Sequence, residues 1–243
     1  MSIEYRAEVY RPLDRSFWFI HLVIPLAVMA VVLFSLEHTG IDLWLADRWY
    51  AMEGQQWLLR DHWLTYDVIH HYGRQLIIGF GLILVTLLAA SFRFSDLRRW
   101  RQPLAYLVTS MVLLPTLIAF SKRFSSVPCP WDLARYGGDA VYRHNLSYPV
   151  GPTEIGHCFP AGHASGGFAL LALYFAAYAS ARFPAVYLLP GLLVGVVFAL
   201  AQQARGAHFI SHDLWTLSIC WFGALGLYVL FRPQTWPRQG DTP

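Results

Sequence analysis

The chain is 243 residues long, with 56% hydrophobic and 14% charged residues and a mean hydropathy of +0.40, a composition that excludes an ordinary water-soluble domain and makes a bilayer the main solvent. The formal charge of +3 and the pI near 8.8 are too mild, and the basic residues too scattered, for a nucleic-acid partner held through phosphate contacts.

Six segments approach the roughly 17 to 25 residues that cross a hydrocarbon core of about 30 Å. They are 17–36, 76–92, 104–120, 164–181, 183–201 and 214–231. The expected fold is all-α, a six-transmembrane-helix bundle forming a single integral membrane domain over 1–243. The first segment contains Trp18 and Pro25 and ends in Ser35-Leu36-Glu37-His38 without a small-residue cleavage site, so it reads as a retained helix rather than a signal peptide. Arg6, Arg11 and Arg15 precede it, and Arg93, Arg98, Arg99 and Arg101 crowd the second short connection. Arg182 falls in the fourth connection, and Arg232 and Arg238 in the tail. By the positive-inside rule these segments, and both termini, are cytoplasmic.

The other three connections, 37–75, 121–163 and 202–213, then face the opposite side. The first carries Trp44, Trp49, Trp57 and Trp63 among alternating charges and reads as an interfacial segment whose aromatic rings sit at headgroup level. His70 and His71 are adjacent, not at the i, i+4 spacing that suits a shared metal ion, and are assigned no chemistry. Cys129 and Cys158 share the second connection, where an oxidising compartment permits a disulfide; closing such a loop stabilises by roughly 3 to 4 kcal/mol in the chain-entropy model. Cys220 lies mid-helix and reads as packing. Gly166 and Gly167 read as a close helix contact.

Polar residues that can do chemistry concentrate in three places on that same side. They are Lys122-Arg123, Pro160-Ala161-Gly162-His163, and the run from Arg205 through Gly206, His208 and His212 to Asp213. Lysine and arginine supply fixed positive charge, and the start of the fourth membrane segment supplies unpaired N–H groups at a positive dipole end. Such a set makes an anion site that suits phosphate. Lys122-Arg123 alone is more often the interfacial flank of a helix, and Pro160-Ala161-Gly162-His163 alone is often just a helix start; order, spacing and shared side give the set its weight. His208 is placed to attack phosphorus, Asp213 to hold its ring, and His163 to protonate the leaving oxygen. His212, next to Asp213, is the rival nucleophile.

The blocks resemble the type-2 phosphatidic acid phosphatase superfamily, which includes vanadium haloperoxidases and has the pattern K-x6-R-P, P-S-G-H, S-R-x5-H-x3-D. Lys122 and Pro130 match the first block, with Cys129 at the arginine position; Ala161 replaces serine in the second. The third matches at Gly206, His208 and Asp213, but four residues separate the last two rather than three, and Gln202 holds the arginine position. The resemblance implies His208, His163 and Asp213 as catalytic residues, the first through a phosphohistidine, with Lys122, Gly162 and an arginine binding the phosphate. Arg205 is the first choice for that arginine; Arg123, Arg135 and Arg143 are the others.

The implied function is a lipid phosphate phosphatase needing no metal and no cofactor. Its substrate is the terminal phosphate of a membrane lipid such as phosphatidate, phosphatidylglycerol phosphate, undecaprenyl diphosphate or lipid A. The expected location is a bacterial inner membrane, with the site facing the periplasm or exterior. A lipid phosphotransferase would share the phosphohistidine. A lipid-binding or transport protein is the alternative of another class, disfavoured because no helix carries a charge near its centre. A haloperoxidase would hold vanadate in the same site, a reading the membrane setting disfavours.

Overall fold

In a computed structural model the described residues are 13–147, 156–178, 181 and 183–231. The arginines expected at 6, 11, 182, 232 and 238 lie outside them. Every regular element among the described residues is helical, with one isolated bridge between Leu133 and Ala140. Five helices are long and apolar enough to cross a membrane: α1 (Arg15–His38), α3 (Leu64–Ser91), α4 (Ser95–Phe124), α6 (Pro184–Ala204) and α7 (Ile210–Phe231). A shorter helix, α2 (Ile41–Met52), lies between α1 and α3.

The segment expected at 164–181 forms α5, a helical rod over 162–178. It runs as Gly162–Phe168, one tighter turn at Ala169–Leu171, and Ala172–Tyr178. At about 1.5 Å per residue it is roughly 26 Å long. It is the most enclosed rod, with Ala164, Ala169, Ala172 and Phe175 fully buried, whereas α1 and α3 show apolar faces outward. Small residues let this happen. A Cβ placed on Gly167 would stand 2.4 Å from the Gly195 backbone nitrogen of α6, and one on Gly195 would strike the Phe168 ring, so the two backbones meet directly.

The main core joins α4, α5 and α7 through Leu114, Ile118, Phe168, Phe175 and Tyr228. Tyr106 Oη donates to the Ala224 carbonyl at 3.0 Å, so the one polar atom of that buried ring is satisfied.

A second cluster, Ala46, Leu133, Tyr136 and Phe209 with Trp57 against it, packs the connections of one end over the α6–α7 turn. The segment 37–75 is therefore more than an interfacial anchor. Trp44 and Trp63 remain exposed as anchors would, but Trp57 lies on Gly206 and joins this cap. A Cys129–Cys158 disulfide closes the same cap, with the two Cα atoms 5.2 Å apart.

Candidate active site

Backbone hydrogen bonds bring the second and third polar blocks together. The Ala161 N–H donates to the His212 carbonyl at 3.3 Å, and Thr216 Oγ1 donates to the Ala161 carbonyl at 3.0 Å, tying the start of α5 to the first turn of α7. The first block arrives from α4. Lys122 Nζ lies 3.7 Å from the position a Cβ would take on Gly162, an ordinary contact distance that brings the first block to the second.

The turn from α6 to α7 depends on Gly206. Its φ of +69° falls in the left-handed region, and a Cβ there would lie 2.5 Å from Trp57 Cδ2, so both conformation and space call for glycine. The turn delivers His208 into the interior with its Nδ1 3.4 Å from His212 Nδ1. Both rings face the backbone of Cys158, so the disulfide-bonded residue is also part of the histidines' surroundings. Burial first, then the charges of Lys122 and His212, hold the His208 pKa well below the usual 6.5, keeping its imidazole neutral at neutral pH.

Asp213 is buried, and its Oδ2 accepts from Gln203 Nε2 at 2.8 Å. The ring partner of His208 is thus His212 rather than Asp213. With four residues between His208 and Asp213, the ring of His212 takes the place beside His208 and the carboxylate turns to Gln203. Lys122 is close enough for its charge to act on His208, His212 and Asp213. Four buried atoms here, His163 Nε2, His212 Nε2, Asp213 Oδ1 and Gln203 Oε1, have no hydrogen-bond partner. Such atoms also occur elsewhere, at Trp49, Glu53 and Ser126, so it is the placement of these four in or beside the second and third blocks that suits a polar ligand.

His163 stacks on Phe198 with ring centroids 4.1 Å apart and stands 4.5 Å from the His70 ring. His70 Nδ1 in turn meets Gln202 Nε2 at 3.0 Å. A histidine assigned no chemistry from its sequence spacing therefore belongs to the site. Adjacency to His71 said nothing of this, because the contact crosses from α3 to α5 and α6.

The candidate arginines separate clearly. Arg205 is buried, with Nε donating to the Arg60 carbonyl at 2.7 Å, Nη1 to Gln202 Oε1 at 3.3 Å, and its plane over Tyr66. Arg123 is exposed at the end of α4. Arg135 forms a two-pronged pair with Asp47 at 2.6 and 2.7 Å, joined by Tyr136 Oη, which fixes it within the cap. These contacts, with Arg135 foremost, draw the Asp47 carboxyl below its ordinary range.

From this polar end runs a groove of about 610 Å³. One wall is a single stripe of α3, from His70 and Arg74 through Ile77, Ile78, Gly81 and Leu82 to Val85. The other is a stripe of α4 from Val108 through Val112 and Pro115 to Lys122. Residues three and four apart share a helix face, so each stripe is continuous and roughly 21 Å long. Lys122, His70, Arg74, Gly162 and His163 form its head; His208 and Asp213 do not line it.

Neither curated proteins nor solved structures give a match to this chain. The family model described as PAP2 superfamily matches residues 103–236, more than half of the chain, and spans all three polar blocks. With those blocks drawn to one end of an apolar helical bundle and the match running through each of them, the chain belongs to the PAP2 superfamily, whose members are generally phosphatases acting on phosphate esters.

Proposed function

We propose that the protein hydrolyses the terminal phosphate of a membrane lipid without a metal ion, through a phosphohistidine on His208. The observation that carries this reading is the groove, with a cationic, histidine-rich head on an apolar shaft between two membrane-length helices. A phosphorylated headgroup suits the head, and a hydrocarbon chain suits a shaft lined by Ile77, Leu82, Val85, Val112 and Pro115. Water-soluble esters would leave that shaft unused.

In the reaction the phosphoryl group passes from the groove head beyond Lys122 to His208, which lies behind the lining, and His208 attacks phosphorus as a neutral imidazole, forming an N–P bond while the P–O bond to the lipid breaks. His163 gives its proton to the departing oxygen. The negative charge of the arriving phosphate favours that proton. Water then cleaves the N–P bond, His163 takes back a proton, and inorganic phosphate leaves. Lys122 stabilises the phosphoryl oxygens throughout. His212 steers the His208 ring, and Asp213, through its unpaired Oδ1, completes the polar surround.

Six crossings with both termini cytoplasmic complete the reading, α5 being the sixth. Its length supports this, as does the split between Arg93, Arg98, Arg99 and Arg101 at one end of α3 and α4 and the disulfide at the other. In a bacterium the site would open on the periplasmic face of the inner membrane.

The test is phosphate release from a panel of lipid phosphates by detergent-purified protein with EDTA present. Activity that survives chelation and drops by about 10³-fold or more in His208→Ala supports the reading. Full activity in His208→Ala moves the nucleophile to His212.

A further inference from the structure

We propose that Arg74 of α3 is the guanidinium that grips the substrate's phosphoryl group, the position that Arg205 was expected to fill. This rests on the phosphatase reading for its kinetics but stands on geometry of its own. A phosphate monoester near neutral pH carries close to two negative charges, and Lys122 offsets one of them. A second cation is needed within reach of Lys122 and His163.

The described arginines near the site leave one in that position. Gln202, at the arginine position of the third block, is a neutral amide occupied with His70. Arg205 has Nε and Nη1 committed to Arg60 and Gln202, lies over Tyr66, and does not line the groove. Arg135 is held by Asp47, and Arg123 and Arg143 lie outside the lining. Arg74 lines the head with Lys122, His70 and His163. Among the described residues no hydrogen bond or ion pair engages it, and its charge reaches both His70 and His163.

The helix explains why it is available. Arg74 lies one turn past His70 and one turn before Ile77 and Ile78 on the face that forms the groove wall, so it stands where the polar head gives way to the apolar shaft. A charge within a membrane-length helix is expensive unless it meets a partner or faces a wet cavity. A lipid seated in the groove brings that partner in its phosphate, and a planar fork can take two of its oxygens at once.

The experiment measures kcat and KM on long-chain phosphatidate in detergent for wild type, Arg74→Ala, Arg74→Lys and Arg205→Ala. In parallel it records how far inorganic phosphate raises the thermal unfolding midpoint of each. Arg74→Ala is expected to raise KM roughly 10- to 100-fold, the loss of a charge-assisted hydrogen bond, with kcat changed far less and Arg74→Lys recovering part of the affinity. Arg74→Ala with wild-type KM and a lower midpoint in the absence of phosphate would make the residue a membrane anchor and overturn the proposal. So would unchanged KM in Arg74→Ala alongside a large rise in Arg205→Ala. If the wild type releases no phosphate from any lipid, the phosphatase reading fails by itself and the midpoint shift decides. A phosphate shift present in wild type and lost in Arg74→Ala supports the anion grip; equal shifts in both, or none in wild type, overturn it.

Discussion

The imidazole of His208 is enclosed by protein and sits beside a lysine, so charging it is unfavourable twice over. A depressed pKa means that the neutral, nucleophilic form persists as pH falls through the usual histidine range of about 6.5. The acid limb of kcat/KM assigned to His208 is therefore expected below that value, and a limb at or above it in the pH profile would contradict the burial argument. Gly206 makes the complementary prediction for stability. Gly206→Ala combines a positive φ with a Cβ driven into the Trp57 ring, and is expected to cost about 1–3 kcal/mol in chemical unfolding. Lys122, Gly162, His163, His208 and Asp213 were legible in the sequence because their order and spacing carry a pattern. His70 and Arg74 were not, since nothing in a local window says which face of α3 meets His163. The pairing of Asp213 with Gln203 was hidden for the same reason: it is set by where the α6–α7 turn leaves each side chain.

Asp42 shows how a peripheral helix controls a distant one. From α2 its carboxylate accepts the Ser211 N–H at 3.0 Å and the Ser211 hydroxyl at 2.5 Å, while Asn145 donates to that hydroxyl at 2.8 Å. It thus caps the first turn of α7 from outside, between His208 and His212 in the chain. Burial outweighs these bonds and raises the carboxyl pKa. A carboxyl that binds its proton more tightly folded than unfolded contributes stability below its unfolded pKa, near 3.8, and loses it as pH rises through the folded value. Asp42→Asn keeps an acceptor oxygen and should flatten that decline in stability measured against pH. Asp42→Ala leaves two donors unmatched and should lower stability by about 1–3 kcal/mol and reduce kcat through a displaced His208. If Asp42→Ala leaves both unchanged, the cap contributes nothing. Tryptophan content placed segment 37–75 at the interface, but a buried aspartate bound to a residue 169 positions away leaves no trace in the sequence.

Across the whole molecule, the long apolar runs were readable because membrane helices must satisfy their backbones internally and carry about 20 apolar residues. The rod 162–178 reads less cleanly: a helix enclosed by its neighbours needs small residues as much as apolar ones, and glycines at 162, 166 and 167 dilute its hydropathy. For short-chain substrates dispersed in water, each methylene buried along the α3–α4 groove should gain about 0.8 kcal/mol, so kcat/KM is expected to rise with chain length until the apolar shaft from Ile77 to Val85, roughly 12 Å, is filled. Gly81 lines that shaft and has open space beside it. Gly81→Phe should abolish the chain-length dependence while sparing hydrolysis of a short-chain phosphate, and equal losses on both substrates would place the chain elsewhere. Reduction of the disulfide should destabilise the cap by roughly 3 kcal/mol, read as a fall in the unfolding midpoint.

The bare-backbone contact between Gly167 and Gly195 works as a fiducial mark for the chemistry. His163 lies four residues before Gly167, close to one turn along α5; Phe198 and Gln202 lie three and seven residues after Gly195, about one and two turns along α6. Pinning the two rods where they touch sets the height at which the His163 ring meets Phe198 and at which Gln202 meets His70. A single methyl group at either glycine, about one turn from His163 or Phe198, would rescale those heights together, so the alignment of His163 with His70 is decided at a point where no polar side chain is present.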